Sequence, residues 1–357
     1  MNTYKSLIND IKHNGLISKP RGQEVKELLF KDLTVTDHET IINSKFRNTL
    51  NNSTPEGKYL RAEFVWYMSG YMSPDYIIRF GKMWDKLRNP YNAEDDTSYD
   101  FKILANKVNS NYGYHAFWKP VTEIQLFKYG LTRSQDNSPF TYVVKTLRRD
   151  ISSRQAIIQY TLPNIYVDDV KDFTCTQNQH FLVREGLLYN LVHIRSSDAV
   201  KGLTFDIPWW DIVGQFVARA LNVNYNTMLI HIGSAHYYER DYDLIDNMLK
   251  DDDIKWNKLI LRDNNSLFKN AYSVYDKVHK YFMNTYPESK QEIVVLLVPV
   301  LDKLDNINNS ETDFEYIVSA YLNMVMAFVY LATQYNIEND LCEQFNNMFF
   351  DSLFELL

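Results

Sequence analysis

Several short stretches in the first 250 residues are rich in strand-forming residues, and some of them alternate between apolar and polar positions. Such stretches predict β-strands, because successive side chains of a strand point to opposite faces of a sheet. The dipeptide Glu185-Gly186 is typical of a hairpin turn between two of them. The predicted strands cover residues 28–37, 156–160, 181–184, 187–195 and 227–233.

A helical pattern begins after Thr54 and continues to about residue 70. Thr54 is suited to cap this helix, and Pro55 suits its first position. One face carries the apolar residues Leu60, Phe64 and Tyr67. Glu63 lies on the same face, and a carboxylate that faces the core of a protein needs a functional or structural explanation.

Strands and helices do not alternate strictly in this part of the chain, where a second helix is predicted over residues 207–221. This organisation predicts an α+β fold with one large sheet. Beyond residue 250 the strand patterns fade, and helical patterns dominate to residue 357. We therefore expect a mixed domain over residues 1–250 and a helical C-terminal extension over residues 251–357.

Composition narrows the classes of protein to which this chain can belong. The net charge of −7 argues against a protein that coats nucleic acid, since such proteins carry basic stripes. The two cysteines, Cys175 and Cys342, form neither a disulfide framework nor a zinc motif, so we expect a reducing cytoplasm and no metal. The first residues lack the apolar run of a signal peptide. Residues 316–335 are the only membrane candidate, and their polar positions favour a buried helix.

Two segments carry candidate chemistry. Cys175 stands among hydroxyl and amide side chains just before a predicted strand, which is an unusual setting for a structural cysteine. Arg195 is followed by Ser196 and Ser197, and an arginine next to hydroxyls can hold a phosphate through charge-assisted hydrogen bonds. Taken singly, each has a simpler alternative: an inert packed thiol and a surface arginine.

Several motifs in order, spread over residues 20 to 245, resemble those of thymidylate synthases and, more closely, of the phage deoxycytidylate hydroxymethylases with the same fold. The resemblance implies an α+β fold in which helices surround a large mixed sheet. The motifs are Glu63-Phe64-Val65-Trp66-Tyr67, Met83-Trp84-Asp85, residues 109–114, Ser153-Arg154, Cys175-Thr176, residues 195–198, residues 202–206 and His236-Tyr237-Tyr238.

The resemblance also implies a role for individual residues. Arg154 would reach the phosphate in the partner subunit's site, so it implies a homodimer. Methylenetetrahydrofolate would be the co-substrate. The implied roles are Cys175 as nucleophile, Glu63 in proton transfer through water, Arg195, Ser196 and Arg21 on the phosphate, His236 and Tyr238 on the sugar hydroxyl, Tyr112 in substrate binding, and Trp84, Asp198 and Gly202 on the folate side.

The implied reaction begins when a thiolate adds to carbon 6 of a pyrimidine, because this addition makes carbon 5 nucleophilic. Carbon 5 then takes the one-carbon unit of the folate, and addition of water gives a hydroxymethyl group. Arg195 is expected to lower the pKa of Cys175. Asp206 stands where thymidylate synthases have an asparagine, and a carboxyl group can accept a hydrogen bond from the amino group of cytosine. The sequence therefore favours dCMP hydroxymethylation, with a helix cap as the alternative role of Asp206.

The sequence is also compatible with other functions, because it departs from the synthase motifs at several positions. Three departures from the synthases are Gln155, where they usually have a second arginine, Thr176, where they have histidine, and Ser234, where they have aspartate. The alternatives are a dUMP hydroxymethylase or thymidylate synthase, a dCMP methylase, a CMP hydroxymethylase and an inactive nucleotide- or RNA-binding relative. The C-terminal extension is a candidate docking module for a protein partner. A viral source would place the enzyme in the host cytoplasm.

Overall fold

The computed structural model describes residues 2–89, 106–119, 138–161, 170–307 and 314–357. Within these ranges, ten β-strands and ten α-helices are named in chain order, and Tyr114–Trp118 forms a short π-helix. The strands are β1 (Leu16–Ser18), β2 (Val25–Thr36), β3 (Glu39–Asn43), β4 (Ile157–Gln159), β5 (Thr176–Arg184), β6 (Leu187–Ile194), β7 (Ser197–Asp198), β8 (Asn224–Tyr238), β9 (Lys255–Leu261) and β10 (Phe354–Leu356). The helices are α1 (Asn2–Asn14), α2 (Pro55–Ser69), α3 (Met83–Leu87), α4 (Pro139–Arg149), α5 (Leu203–Leu221), α6 (Tyr242–Lys250), α7 (Asn264–Thr285), α8 (Lys290–Asp305), α9 (Phe314–Gln334) and α10 (Asn339–Leu353).

Seven strands form one mixed sheet in the order β1-β2-β8-β6-β5-β4, with β7 paired to β8. The β6–β8 and β7–β8 pairs are parallel, and the other pairs are antiparallel. A second, three-stranded antiparallel sheet has the order β10-β9-β3. The predicted α+β fold with a large mixed sheet is confirmed.

Strands β5 and β6 form the hairpin that the sequence predicted. Glu185 (φ 52°) and Gly186 (φ 75°) both adopt the left-handed conformation, which a two-residue turn between twisted strands requires. Along β6 buried residues alternate with exposed ones, because one face of the sheet packs against helices. Strand β5 begins earlier than predicted, directly after Cys175.

Helix α2 has the predicted start and end. The Thr54 side chain accepts a hydrogen bond from the backbone N–H of Gly57, and Gly70 ends the helix in the left-handed conformation. The helix is buried on nearly every side, since Tyr67 packs on Trp209 of α5 with ring centroids 4.9 Å apart. Helix α2 therefore lies in the middle of the protein, between α5 and the C-terminal helices.

The C-terminal helices pack behind α2 through an aromatic cluster. Phe64 of α2 contacts Phe349, Phe350 and Phe354, with ring centroids 5.4 to 6.1 Å apart. The guanidinium of Arg79 donates hydrogen bonds to two backbone carbonyl oxygens of this part of the chain. The C-terminal helices thus pack against α2, the helix that carries Glu63.

Two strands lie in the region that we predicted to be helical. Strand β9 pairs with β3, and β10 pairs with β9. The sequence did not reveal them because β9 is stabilised by a partner more than 200 residues away, which local periodicity does not report. The division of the chain near residue 250 stays a prediction.

One helix, Phe314–Gln334, is long and apolar enough to cross a membrane by length and composition. In the structure, most of it is buried among other helices, as in the core of a soluble protein. This burial agrees with the interpretation of this segment as a core helix.

Candidate active site

A buried carboxylate holds the loop that carries Cys175. Asp172 Oδ2 accepts hydrogen bonds from the backbone N–H groups of Asn109 (2.6 Å) and Ser110 (2.8 Å), and Oδ1 accepts one from the Ser110 hydroxyl (2.6 Å). Burial raises the pKa of Asp172, against the effect of these hydrogen bonds. Sequence reasoning did not single out Asp172, which anchors the loop three residues before the thiol.

Tyr112 fixes the chain directly after the thiol. Its hydroxyl oxygen accepts a hydrogen bond from the backbone N–H of Thr176 at 3.2 Å. Burial raises the pKa of Tyr112 well above its usual range, and negative charge on Cys175 or Asp206 raises it further. Tyr112 is therefore a neutral phenol within electrostatic range of both groups.

Arg195, at the end of β6, wraps around the same loop. Its Nε donates to the carbonyl oxygen of Thr174 (3.0 Å), and its Nη2 donates to that of Phe173 (2.6 Å). Nη2 also lies 3.6 Å from the sulfur of Cys175. The side chain is exposed, and Nη1 takes no part in these three contacts.

The pKa of Cys175 differs from the sequence expectation. Burial raises the pKa of this thiol to about 11, and although Arg195 lowers it, negative charge on Asp206 and Asp172 raises it further. The arginine thus has the predicted sign of effect, but desolvation outweighs it. The expectation of a lowered pKa is wrong for the free protein.

Glu63 lies on the buried face of α2 and is only 5% exposed. The Tyr59 hydroxyl donates a hydrogen bond to its Oε1 at 2.6 Å. Burial raises the pKa of Glu63 to about 7, although Tyr59, Tyr67 and the charge of Arg47 lower it. Protonated and ionised forms are therefore both populated near neutral pH, which suits a group that relays protons.

Asp206 lies inside the first turn of α5, whose cap is Gly202. The Asp206 backbone N–H donates to the carbonyl oxygen of Gly202 at 3.0 Å, so the alternative role of Asp206 as the helix cap is wrong. Burial raises its pKa well above the usual range, and the charges of Glu63 and Asp198 raise it further. Burial thus favours the neutral form of Asp206, which offers both a hydrogen-bond donor and an acceptor.

Strand β8 contributes His236 and Tyr238, whose rings meet edge to face with centroids 5.4 Å apart. Nδ1 of His236 lies 3.3 Å from the carbonyl oxygen of Ser234 and donates to it, because a carbonyl oxygen only accepts. Nε2, the other ring nitrogen of His236, takes no part in this hydrogen bond. The Ser234 hydroxyl donates to Oε2 of Glu27, which stands opposite His236 on β2.

The other predicted phosphate ligands are Arg21, Ser196 and Arg154, and none of them is buried. Arg21 adopts a left-handed conformation (φ 51°) in an N-terminal turn, and its charge lowers the pKa of Cys175. Ser196 is half-buried next to Arg195. Arg154 is exposed before β4, and its backbone carbonyl accepts a hydrogen bond from His180 Nε2 at 3.1 Å. Among the described residues, no hydrogen bond or ion pair joins the Arg154 guanidinium to its own chain's thiol site.

The predicted folate-side residues are Asp198, Gly202 and Trp84. Asp198 Oδ1 accepts hydrogen bonds from the backbone N–H groups of Val200 (2.9 Å) and Lys201 (3.1 Å), and Oδ2 takes no part in them. A Cβ at Gly202 would meet Asp198 at 3.5 Å, an ordinary contact, so packing within the chain does not demand glycine there. Trp84 is only 5% exposed. In the described ranges, no cluster of three or more His, Cys, Asp or Glu side chains could hold a metal ion.

Electrostatic influence connects these residues into one site. The charges of Asp206 and Arg21 shift the pKa of Cys175, the charge of Glu63 shifts that of Asp206, and the charge of Cys175 shifts that of Tyr238.

Sequence reasoning did not single out two further residues of the site. Tyr59 precedes Glu63 by one helical turn, a spacing that the sequence does show, and Arg47, only 7% exposed, donates to Thr204 Oγ1 at 3.1 Å.

Comparisons with known proteins agree with this geometry. A thymidylate synthase family model matches residues 2–295. The chain is 25% identical over 206 residues to deoxycytidylate 5-hydroxymethyltransferase of Enterobacteria phage T4, over 54% of this chain and 72% of that protein. It is 21% identical over 253 residues to a thymidylate synthase of Fusobacterium nucleatum, over 67% of this chain and 79% of that one.

A solved structure shows the same fold. Thermostable thymidylate synthase A from Bacillus subtilis superposes with a TM-score of 0.52 at 17% identity, over 73% of this chain and 87% of that one. The predicted resemblance is thus confirmed. The chain belongs to the thymidylate synthase family, whose members are folate-dependent enzymes that transfer a one-carbon unit to a pyrimidine nucleotide.

Proposed function

We propose that the protein transfers a one-carbon unit from methylenetetrahydrofolate to carbon 5 of dCMP, and that added water makes the product 5-hydroxymethyl-dCMP. The observation that carries the choice of base is the carboxyl group of Asp206, which lies within electrostatic range of Cys175 and Glu63. The similarity to phage deoxycytidylate 5-hydroxymethyltransferases supports the same choice.

The nucleotide would bind by its phosphate and its sugar. Nη1 of Arg195, the hydroxyl of Ser196 and the guanidinium of Arg21 offer charge-assisted hydrogen bonds to the phosphate. His236 and Tyr238 would hold the sugar hydroxyl, with Nε2 of the histidine as acceptor, because Nδ1 already donates to a backbone carbonyl. This arrangement points the pyrimidine ring toward the thiol.

Asp206 as a neutral acid matches cytosine with both of its oxygens. Its carbonyl oxygen accepts from the amino group, and its O–H donates to the bare ring nitrogen at position 3. A neutral acid can also pair with uracil in the reversed sense, so pairing in the ground state does not select cytosine, and the selection rests on the adduct. As sulfur adds to carbon 6, the ring nitrogen becomes more basic, and the Asp206 proton moves toward it and stabilises the adduct.

Cys175 would act as the nucleophile. With its raised pKa, the thiol gives up its proton to solvent as it attacks carbon 6, and the guanidinium of Arg195, 3.6 Å from the sulfur, stabilises the thiolate. The loop anchored by Asp172 holds the sulfur in place, which limits the entropy lost on attack.

Glu63 would transfer protons and hold the reacting water molecule. With a pKa of about 7, its ionised form can take the proton from carbon 5 through a water molecule, and its protonated form can return one. After tetrahydrofolate has left the exocyclic carbon, a water held by Glu63 would add there. The sulfur of Cys175 would then leave carbon 6, and the product carries a hydroxymethyl rather than a methyl group.

The folate-side residues fit the predicted co-substrate by their chemistry. Oδ2 of Asp198 can accept from an N–H group of a pterin ring, Gly202 leaves room beside it, and Trp84 borders the same side. When bound, methylenetetrahydrofolate supplies the one-carbon unit at the oxidation level of formaldehyde.

We also propose that the protein is a homodimer in which Arg154 completes the partner's phosphate site. The guanidinium of Arg154 is exposed, as a contact to a second chain requires. One face of the large sheet exposes apolar side chains, and such patches typically mark interfaces. These side chains are Ile157, Leu187, Tyr189 and Leu229.

Product analysis tests the proposed reaction. The full-length protein is given labelled formaldehyde, tetrahydrofolate and, in separate reactions, dCMP, dUMP or CMP, and the mass of each product is measured. Addition of CH2O to dCMP supports the proposal. Addition of CH2 instead would overturn the hydration step, and preference for dUMP or CMP would overturn the assigned base or sugar. Tight nucleotide binding without turnover would identify an inactive relative.

A further inference from the structure

The phenol of Tyr59 lies between two polar groups in the interior of the site. The indole Nε1 of Trp84 donates a hydrogen bond to the Tyr59 oxygen at 2.8 Å, and the Tyr59 hydroxyl lies 2.6 Å from Oε1 of Glu63. An indole N–H can only donate, so the Tyr59 oxygen must accept from it. The single proton of Tyr59 is therefore directed at Oε1 of Glu63.

The position of the Tyr59 ring is fixed by its neighbours. Phe205 of α5 packs against it with ring centroids 4.6 Å apart, and the guanidinium of Arg47 covers Phe205 at 4.3 Å. A Cβ at Gly81 would lie 2.6 Å from the Tyr59 ring, so only glycine permits this position. Because Phe205 adjoins Asp206 in sequence, the same stack joins the two acidic groups of the site.

We propose that Tyr59 is a positioning residue that confines the proton of Glu63 to Oε2. In a protonated carboxyl group the carbonyl oxygen is a far better acceptor than the hydroxyl oxygen. The hydrogen bond from Tyr59 therefore favours Oε1 as the carbonyl oxygen whenever Glu63 is protonated. Protons then enter and leave Glu63 at one oxygen only, which gives the relay a fixed direction.

The effect on turnover rests on the proposed function, in which Glu63 relays protons. The location of the proton on Glu63 does not depend on that function. A Tyr59 that merely filled space could be replaced by phenylalanine without any effect on the titration of Glu63. If Tyr59 positions the proton, Tyr59→Phe removes a hydrogen bond that stabilises the ionised form. The pKa of Glu63 must then rise above its present value of about 7.

Infrared difference spectroscopy of the full-length protein, without nucleotide or folate, measures both properties. Subtracting the spectrum of Glu63→Gln from that of the wild type isolates the carbonyl band of protonated Glu63 over a pH titration. In Tyr59→Phe this band is expected at higher frequency, and its midpoint at higher pH. Tyr71→Phe is the matched control, since Tyr71 is influenced by Asp75 and Tyr330 rather than by Glu63.

An unchanged band and midpoint in Tyr59→Phe would overturn the proposal. If that variant does not fold, Trp84→Phe serves instead. The indole N–H polarises the Tyr59 O–H, so its loss weakens the hydrogen bond to Oε1; the band must again move to higher frequency, and an unchanged band is contradictory. In turnover assays, Tyr59→Phe should lower kcat about fivefold, as expected for one lost hydrogen bond, with KM for the nucleotide unchanged. Absence of any turnover in the wild type would refute the proposed function and leave the infrared result standing.

Discussion

Nη2 of Arg195 lies 3.6 Å from the sulfur of Cys175, and yet burial keeps the pKa of that thiol at about 11. The free protein therefore holds an unreactive thiol in a polar setting. The sulfur therefore ionises only in the course of its attack on the nucleotide, where the guanidinium of Arg195 stabilises the thiolate. This order of events would protect the cysteine from adventitious oxidation, which requires thiolate character.

Cys175→Ser should abolish turnover, by about 10³-fold or more, while nucleotide binding stays nearly intact, because a hydroxyl is a far poorer nucleophile than a thiolate. Steady-state rates and calorimetric binding of dCMP measure the two effects separately. Cys342→Ser is the control, since Cys342 is buried beside Arg79 in the C-terminal helices. Wild-type turnover in Cys175→Ser would remove this thiol from the reaction.

Arg154→Ala should weaken nucleotide binding, by roughly tenfold or more for the loss of a charge-assisted hydrogen bond. A mixture of Arg154→Ala and Cys175→Ser chains should recover part of the activity, since one of the two sites in a mixed dimer holds both intact groups. Activity after subunit exchange measures this recovery. A monomer by light scattering, or no recovery on mixing, would contradict a site shared between subunits.

The sequence predicted much of the local structure around the site because local rules govern it. Thr54 and Gly70 bound α2 as capping chemistry requires, and Glu185-Gly186 turns the hairpin as its backbone angles require. The spacing of Glu63 on the apolar face of α2 correctly indicated a buried carboxylate. These features depend on neighbours within a few residues, which a single sequence displays.

What escaped prediction depends on distant contacts. Strand β9 forms because it pairs with β3, and Asp172 is important because it binds the backbone of residues 109 and 110, about 60 positions away. The sign of the Cys175 pKa shift was wrong because burial, which no single sequence reveals, outweighs the adjacent arginine. Roles in catalysis came from the resemblance to a family and stay predictions for each residue.

A second buried pair predicts how stability depends on pH. His38 Nδ1 lies 3.1 Å from both carboxylate oxygens of Asp211. Burial lowers the pKa of His38, but the hydrogen bond and charge of Asp211 together outweigh burial and raise it. The pair thus stabilises the fold fully below the unfolded pKa of about 6.5, and this stabilisation is lost as pH rises through the higher folded pKa.

His38→Asn should therefore lower the free energy of unfolding by about 1–2 kcal/mol more at pH 6 than at pH 9. Urea denaturation of both proteins at the two pH values measures this difference. His13→Asn serves as the control, because His13 is exposed near the end of α1. An equal loss of stability at both pH values would show that His38 acts through packing alone.

The most direct measurement of the central claim is kcat/KM for dCMP and for dUMP, in the wild type and in Asp206→Asn. The amide donates to the carbonyl oxygen at position 4 of uracil and accepts from its N–H at position 3, and in that same orientation it mispairs with cytosine at both positions. Each buried mispair costs about 1–3 kcal/mol, so the preference should move toward dUMP by roughly 30-fold or more. A wild type that already prefers dUMP, or a ratio that Asp206→Asn leaves unmoved, would contradict the assignment of cytosine.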